Sequence, residues 1–365
     1  MTNTKPLALV TGAAGWLGMG VVNALANGLA DHQNIVVPQE NLTIRCLVLP
    51  GQNTAELRRI SDSLEIVEGD VTKLESLARF FADAGGAVIY HCAGVIHPKR
   101  VQGFYAVNTL GTENIYNGAA AAKVRRAVIV SSNSPCGNNP HPDHLFDEKS
   151  PYNPYMAYGH SKMLMEQAVW KLHGQGNAPE VVIIRAPWFY GPFQPPRQTE
   201  FFCMIRDGKG PLVGSGVNRR SMAYIDNLAQ GLLLAGSVAG IDGKTYWIAD
   251  ARAYSMAEIL DTIESVLRED FSISCKGARL KLPSIVADIA QVIDFTLQKV
   301  GIYHQKIHVL SEMNKTIACS VEEAVKDLGY CPAVSLREGM RRSIAWLLEQ
   351  PEEKAKLVQT FRKKL

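Results

Sequence analysis

The chain is poor in the features that mark several protein classes. Its seven cysteines (Cys46, Cys92, Cys136, Cys203, Cys275, Cys319 and Cys331) are odd in number, scattered, and never spaced Cys-x-x-Cys. That pattern argues against a disulfide framework or a zinc site and suits reduced thiols in a cytoplasmic protein. A formal net charge of +3 over 365 residues leaves no electrostatic footprint for nucleic acid. No apolar run approaches the ~18 residues of a membrane-spanning helix, so no integral membrane segment is expected. Met1 to Pro6 leads directly into a strand and lacks the charged-then-apolar order of a signal peptide. His141-Pro142-Asp143-His144 offers two imidazoles, but in a loop that holds them on no common helical face, so no metal is expected.

What the chain does have is a strand–helix alternation. Leu7 to Val10 is a short continuous apolar run, as expected of a strand buried on both faces. Gly12, Gly15 and Gly18 follow it and open the helical run from Val21. Glycines there permit a tight turn, close approach of a pyrophosphate to main-chain N–H groups, and close helix–strand packing. Further strands are predicted over residues 42–49, 64–67, 87–91 and 126–130, with helices over 54–60, 74–84 and 101–122. Such alternation yields a parallel sheet whose ligands collect outside the carboxyl ends of the strands. The glycine turn, Asp70, Ala93 and Ser132 all fall at those ends.

Downstream, Tyr158 precedes Lys162 by one helical turn, so phenol and ammonium share a face. A neighbouring cation favours the phenolate and lowers its pKa from the usual ~10 toward the range of general acid–base catalysis. Tyr155 is a rival, but its partner at that spacing is Gly159. The hydroxyls of Ser132 and Tyr158 can together hydrogen-bond one substrate oxygen, which hydride transfer at a carbonyl or alcohol requires. The plainer readings remain a capping serine and a solvated lysine beside a packed tyrosine.

Taken together, Thr11-Gly12-x-x-Gly15-x-x-Gly18, Gly69-Asp70-Val71, His91-Cys92-Ala93-Gly94, Asn108-x-x-Gly111, Ser131-Ser132 and Tyr158-x-x-x-Lys162 resemble the extended short-chain dehydrogenase/reductases. That superfamily contains NAD-dependent epimerases, dehydratases and hydroxysteroid dehydrogenases. The resemblance implies an α/β fold: a Rossmann-type doubly wound parallel sheet with a smaller, mostly helical substrate-binding region. Residues 1–185 would form the dinucleotide domain and residues 186–365 the substrate region, partly interleaved with the sheet. By match, Ser132, Tyr158, Lys162 and Asn108 would be catalytic. NAD or NADP would contact Gly12, Gly15, Trp16, Leu17, Gly18, Asp70, Val71, Cys92, Ala93, Gly94 and Pro187, with Tyr158 and Lys162 on its ribose side. Ser132, Asn133, Trp188 and Arg220 would meet a small-molecule substrate. The helices over 101–122 and 155–172 correspond to those that pair in homodimeric relatives.

Two clues to the substrate conflict. Trp188 stands where nucleotide-sugar enzymes carry an asparagine, favouring an apolar substrate, whereas Arg220 stands where those enzymes grip phosphate. A Leu282-Pro283-Ser284 start to an amphipathic helix resembles the hydroxysteroid and sterol branch, in which such helices cover a hydrophobic substrate. Asp288 and Asp294 argue against a basic membrane-surface helix. The leading expectation is therefore oxidation or reduction between a secondary alcohol and a ketone on a largely apolar substrate. The alternative is a nucleotide-sugar epimerase or dehydratase with tightly bound NAD. The second strand ends without an acid for a ribose 2′-hydroxyl or an arginine for a 2′-phosphate, leaving Arg45, Arg58 and Arg59 as unplaced substitutes.

Overall fold

The structure, a computed structural model, describes residues 6–32, 41–176 and 178–358. Met1 to Lys5 of the expected N-terminal lead-in lie outside the described residues. The strands run β1 Leu7–Thr11, β2 Thr43–Val48, β3 Glu65–Glu68, β4 Val88–His91, β5 Arg126–Ser132, β6 Glu180–Ala186, β7 Trp188–Tyr190, β8 Pro211–Val213, β9 Arg219–Tyr224, β10 Lys244–Trp247, β11 Ala253–Ser255 and β12 Leu280–Leu282. Seven form one parallel sheet in the order β10-β6-β5-β4-β1-β2-β3. The order reverses between β1 and β4, which opens a crevice at their carboxyl ends. This is a Rossmann-type doubly wound sheet. β10 comes from the second half of the chain and pairs with β6, so the two halves share the sheet.

Side-chain alternation along the strands feeds two cores. Val10, Val128, Val182 and Ile184 pack with the helices Trp16–Asn27 and Ile225–Ser237. Leu9, Ile89, Ile129 and Ile183 pack with Gly111–Ala121 and Met156–His173 on the opposite face. Strands buried on both faces must be apolar at every position, which is why they read as continuous runs. Beyond β6, β7, β9 and β11 form a small mixed sheet, and β8 pairs with β12. Helices Ile285–Lys299 and Gln305–Glu312 then cross above the carboxyl end of the main sheet.

Two expected helices differ. Over 74–84 only Leu74–Leu77 makes a helical turn, of the 3-10 type. The Arg45 guanidinium accounts for this: its Nη1 donates to the carbonyls of Phe80 (3.1 Å) and Ala82 (2.6 Å), and Asp83 takes φ +54°. Those carbonyls are thereby turned away from a helical ladder. The stretch over 101–122 is helical, but Tyr105–Leu110 widens into a π segment before Gly111–Ala121 resumes. Such single-turn bulges recur at functional sites, and this one carries Asn108.

Candidate active site

The glycine turn is built as a cradle. Gly12 has φ +63°, and a Cβ added there would lie 2.8 Å from the Ala93 backbone. At Gly18 an added Cβ would fall 2.0 Å from the Gly12 carbonyl oxygen. Neither position accepts a side chain, so the loop lies flat against the end of β4 and exposes its N–H groups at the start of the helix Trp16–Asn27. That helix begins after Gly15 with no side-chain cap, which suits a phosphate as the missing acceptor. A dinucleotide pyrophosphate fits this cradle. Trp16 is fastened beneath it: its indole N–H donates to the Pro192 carbonyl (2.8 Å) and its ring packs on Phe189 at 4.8 Å.

A buried relay ties the cradle to the helical segments that carry Asn108 and Thr112. The Ala93 N–H donates to Thr11 Oγ1 (3.1 Å), which contacts His91 Nδ1 (2.7 Å). His91 Nε2 contacts Thr112 Oγ1 (2.8 Å), whose hydroxyl donates to the Asn108 carbonyl (2.7 Å). One neutral tautomer, protonated at Nε2, satisfies every member. Burial and the nearby Lys162 charge push the His91 imidazole down to about 3, so it stays neutral. The Asn108 side chain accepts from the Val95 N–H (2.8 Å) and donates to the Val95 carbonyl (3.0 Å) and Ser161 Oγ (3.1 Å). It braces the loop after β4 against the helix Met156–His173.

Tyr158 lies in the first turn of that helix, Lys162 one turn on and Glu166 one turn further. Lys162 is buried, and its ammonium donates to the Val130 carbonyl at 2.9 Å. A Cβ added to Gly94 would sit 3.5 Å from Lys162 Nζ and 3.3 Å from Asn108 Oδ1. The loop after β4, Lys162 and Asn108 therefore share one cleft. Burial pulls the Lys162 ammonium down to about 8, with the carboxylate of Glu166 opposing. Ser132 ends β5 opposite Ala186 of β6, with Asn133 beside it and Pro187 one residue beyond.

The phenol of Tyr158 departs from expectation. Burial pushes it up to about 12, the Ser132 hydroxyl opposes as a hydrogen-bond partner, and the Glu312 carboxylate raises it further. Lys162 is turned to the strand carbonyl, so its charge bears on His91 and Cys92 instead. The depression anticipated from the Tyr-x-x-x-Lys spacing is not produced by the residues of the site themselves.

Asp70 accepts from the Thr72 N–H (2.9 Å) and hydroxyl (2.8 Å) through Oδ1 alone, beside Val71. No acid terminates β2, but Glu68 at the end of β3 accepts the Gly51 N–H at 3.1 Å and so stands beside the β2 loop. Arg45 pairs with Glu65, Arg58 donates to the carbonyls of Asp62 and Leu64, and Arg59 pairs with Glu56. All three candidate arginines are engaged elsewhere.

A roof covers Tyr158, built in part by the helix Ile285–Lys299 that the resemblance set over the substrate. Gln298 Oε1 accepts the Ala157 N–H (3.0 Å) at the start of the helix Met156–His173. Phe104 packs between Tyr158 (5.7 Å) and Tyr303 (5.1 Å), and Tyr303 hydrogen-bonds His97 (2.7 Å). The Tyr155 hydroxyl is hydrogen-bonded to that of Ser311 (2.8 Å). Trp188 packs on Phe201 at 5.8 Å. Arg220 donates to the Glu312 carbonyl, while its buried Nε has no partner among the described residues. His141 and His144 stack edge to face, His144 Nδ1 meets Asn139 Nδ2, and no described group of three or more His, Cys, Asp or Glu is arranged for a metal.

The family model described as NAD dependent epimerase/dehydratase family matches residues 8–249. An uncharacterized protein of Sinorhizobium fredii, y4nL, is 52% identical over 96% of this chain and 97% of its own. The 3beta-hydroxysteroid-dehydrogenase/decarboxylase isoform 1 of Arabidopsis thaliana is 24% identical, covering 99% of this chain and 84% of its own. Among solved structures, dTDP-glucose 4,6-dehydratase of Bacillus anthracis in complex with NAD superposes with a TM-score of 0.73 at 19% identity, over 95% of this chain and 98% of that one.

Proposed function

Because this chain belongs to the NAD dependent epimerase/dehydratase family, we propose that it is a nucleotide-sugar epimerase or dehydratase that keeps NAD bound through its catalytic cycle. The observation that carries this reading is Arg220, a half-buried guanidinium in no ion pair among the described residues, with a shielded, orphaned Nε and only the nearby Glu312 charge to offset its desolvation. A partly desolvated cation in that condition favours an anion, and a diphosphate supplies one. Trp188 and Phe201 offer flat apolar surface for the base. The Glu68 carboxylate disfavours a cofactor 2′-phosphate, hence NAD over NADP.

NAD, when bound, supplies the hydride acceptor and donor. Tyr158 Oη takes the proton of the substrate hydroxyl and later returns it, while Ser132 Oγ hydrogen-bonds the same oxygen. Lys162 would hold the nicotinamide ribose, and its ammonium, turned from the Val130 carbonyl toward the phenol, would bring Tyr158 down from about 12. Asn108 keeps the loop after β4 in register with the helix that carries both. The helices Gly111–Ala121 and Met156–His173 form the face by which two copies would pair.

A second reading, an apolar secondary alcohol or ketone as substrate, is favoured by the packing of Tyr158 on Phe104 and of Phe104 on Tyr303, and by the apolar pair Trp188 and Phe201. The test is a thermal-shift panel of UDP- and dTDP-sugars against sterols and long-chain ketones, on protein checked for NAD released by denaturation. Stabilisation by a sugar nucleotide that Arg220→Met abolishes supports the first reading; stabilisation by the apolar set alone overturns it. Tyr158→Phe should lower turnover about 10³-fold or more with NAD retained, and unchanged turnover removes Tyr158 from the chemistry.

A further inference from the structure

The helix Ile285–Lys299 is turned inside out. Its inward face is small or polar: Ala287, Ala290 and Asp294 are the buried positions. Its larger apolar residues face solvent. Ile285, Ile289, Val292 and Ile293, with Val300 and Ile302 just beyond, are 44–69% exposed. On a 100° wheel the four helical positions and Val300 fall within one continuous arc. Together these side chains present on the order of 500 Å² of apolar surface, where scattered single residues are the ordinary case.

The two acids that seemed to forbid a membrane role do not lie unpaired on this face. Asp294 is fully buried and bonds His308 (2.7 Å) and Gln298 (2.9 Å). Asp288 at the edge is neutralised by Lys315 (2.9 Å) and Asn314 (3.1 Å). Cations flank the stripe. Lys281 precedes it, and Lys299, Lys306, Lys99 and Arg100 surround its far end, all exposed. Arg100 is fixed there by its bridge to Ile302 and by the Val101 N–H donating to the Gly301 carbonyl. Lys299 lies over the Phe295 ring. No ion pair engages any of these five cations among the described residues.

We propose that this face docks on the surface of an anionic lipid bilayer. The helix, about 22 Å long, lies in the membrane plane. Ile285, Ile289, Val292 and Ile293 enter the headgroup–acyl boundary, and the flanking cations meet lipid phosphates. The charge pattern selects this partner over a second copy of the chain, because an isologous contact would bring the two sets of cations together. The docked helix is also the roof of the site, since its Gln298 bonds the start of the Tyr158 helix. Docking does not depend on which substrate the site takes.

The test is flotation of the full chain with phosphatidylcholine vesicles, with and without 30% phosphatidylglycerol, at low and high salt. Co-flotation with the anionic vesicles alone is expected, weakened by salt. Val292→Asp and, separately, Ile289→Asp should each lower partition at least tenfold with an unchanged melting temperature, while Leu74→Asp, an exposed residue beside β3, should not. Absence of co-flotation, or partition indifferent to lipid charge, overturns the proposal. A concentration-dependent dimer in light scattering that Val292→Asp dissociates, without vesicle binding, assigns the face to a second copy instead.

Discussion

Replacing Arg185 by methionine probes the scaffold under the helix Met156–His173, which carries Tyr158 and Lys162. Glu166 is 0% exposed and Arg185 4%. The carboxylate accepts from Arg185 Nη2 (2.8 Å) and Nε (3.2 Å), from Ser131 Oγ (2.5 Å) and from the Tyr152 hydroxyl (2.9 Å). The guanidinium is further enclosed by the rings of Tyr152 and Trp247, each 5.6 Å away. Methionine fills much of the volume but leaves a buried carboxylate with two neutral donors. Breaking a buried pair in this way costs about 3–5 kcal/mol. At roughly 2 °C per kcal/mol for a chain this size, the melting temperature should fall by about 6–10 °C. The double replacement Glu166→Leu with Arg185→Met removes both charges and should recover part of the loss, because the desolvation cost disappears with them. Differential scanning fluorimetry of the wild type, both single variants and the double variant closes the cycle. A shift under 2 °C for Arg185→Met, or a double variant no better than the worse single, would refute the assignment of an essential buried pair.

Other outcomes follow from the same geometry. Glu166→Gln removes the charge that holds up the Lys162 ammonium, so the alkaline limb of the pH profile for NAD affinity should move to lower pH. A limb that stays in place sinks that coupling. His91 is neutral in the folded state, with its pKa at about 3 against an unfolded value near 6.5. Stability should therefore be lost as pH falls below 6.5, by about 2 kcal/mol at pH 5. His91→Gln, which cannot gain the proton, should flatten that slope in urea titrations at pH 7 and pH 5, and an unchanged slope would contradict it. Gly12→Val meets both a φ of +63° and the Ala93 backbone, so calorimetry should find NAD affinity lowered at least a hundredfold. Near-normal affinity would mean that the pyrophosphate does not lie on this turn.

Much of the nucleotide half was legible in order along the chain. Its central strands, β1 and β5 above all, are buried on both faces and apolar through most of their length, and its glycines sit where backbone approaches backbone. Both demands are local, so they leave marks that a short window can read. Glu166 was also within reach, since it extends the Tyr158 and Lys162 face by one more turn. The helix over 74–84 failed because the competing group, Arg45, lies on another strand.

The substrate side was decided by tertiary structure. Which carboxylate stands beside the β2 loop, whether Arg220 finds a counter-ion, and what roofs Tyr158 all depend on side chains that meet across long sequence separations. The amphipathic spacing of residues 285–293 specified a helix with an apolar face but not the direction of that face. A stripe looks the same whether it turns to a core or to solvent, and only the packing of Ala287, Ala290 and Asp294 against the protein set it outward. The Tyr158 phenol makes the same point: spacing brought the ammonium within one turn, but burial and the Val130 carbonyl determined where its charge is felt.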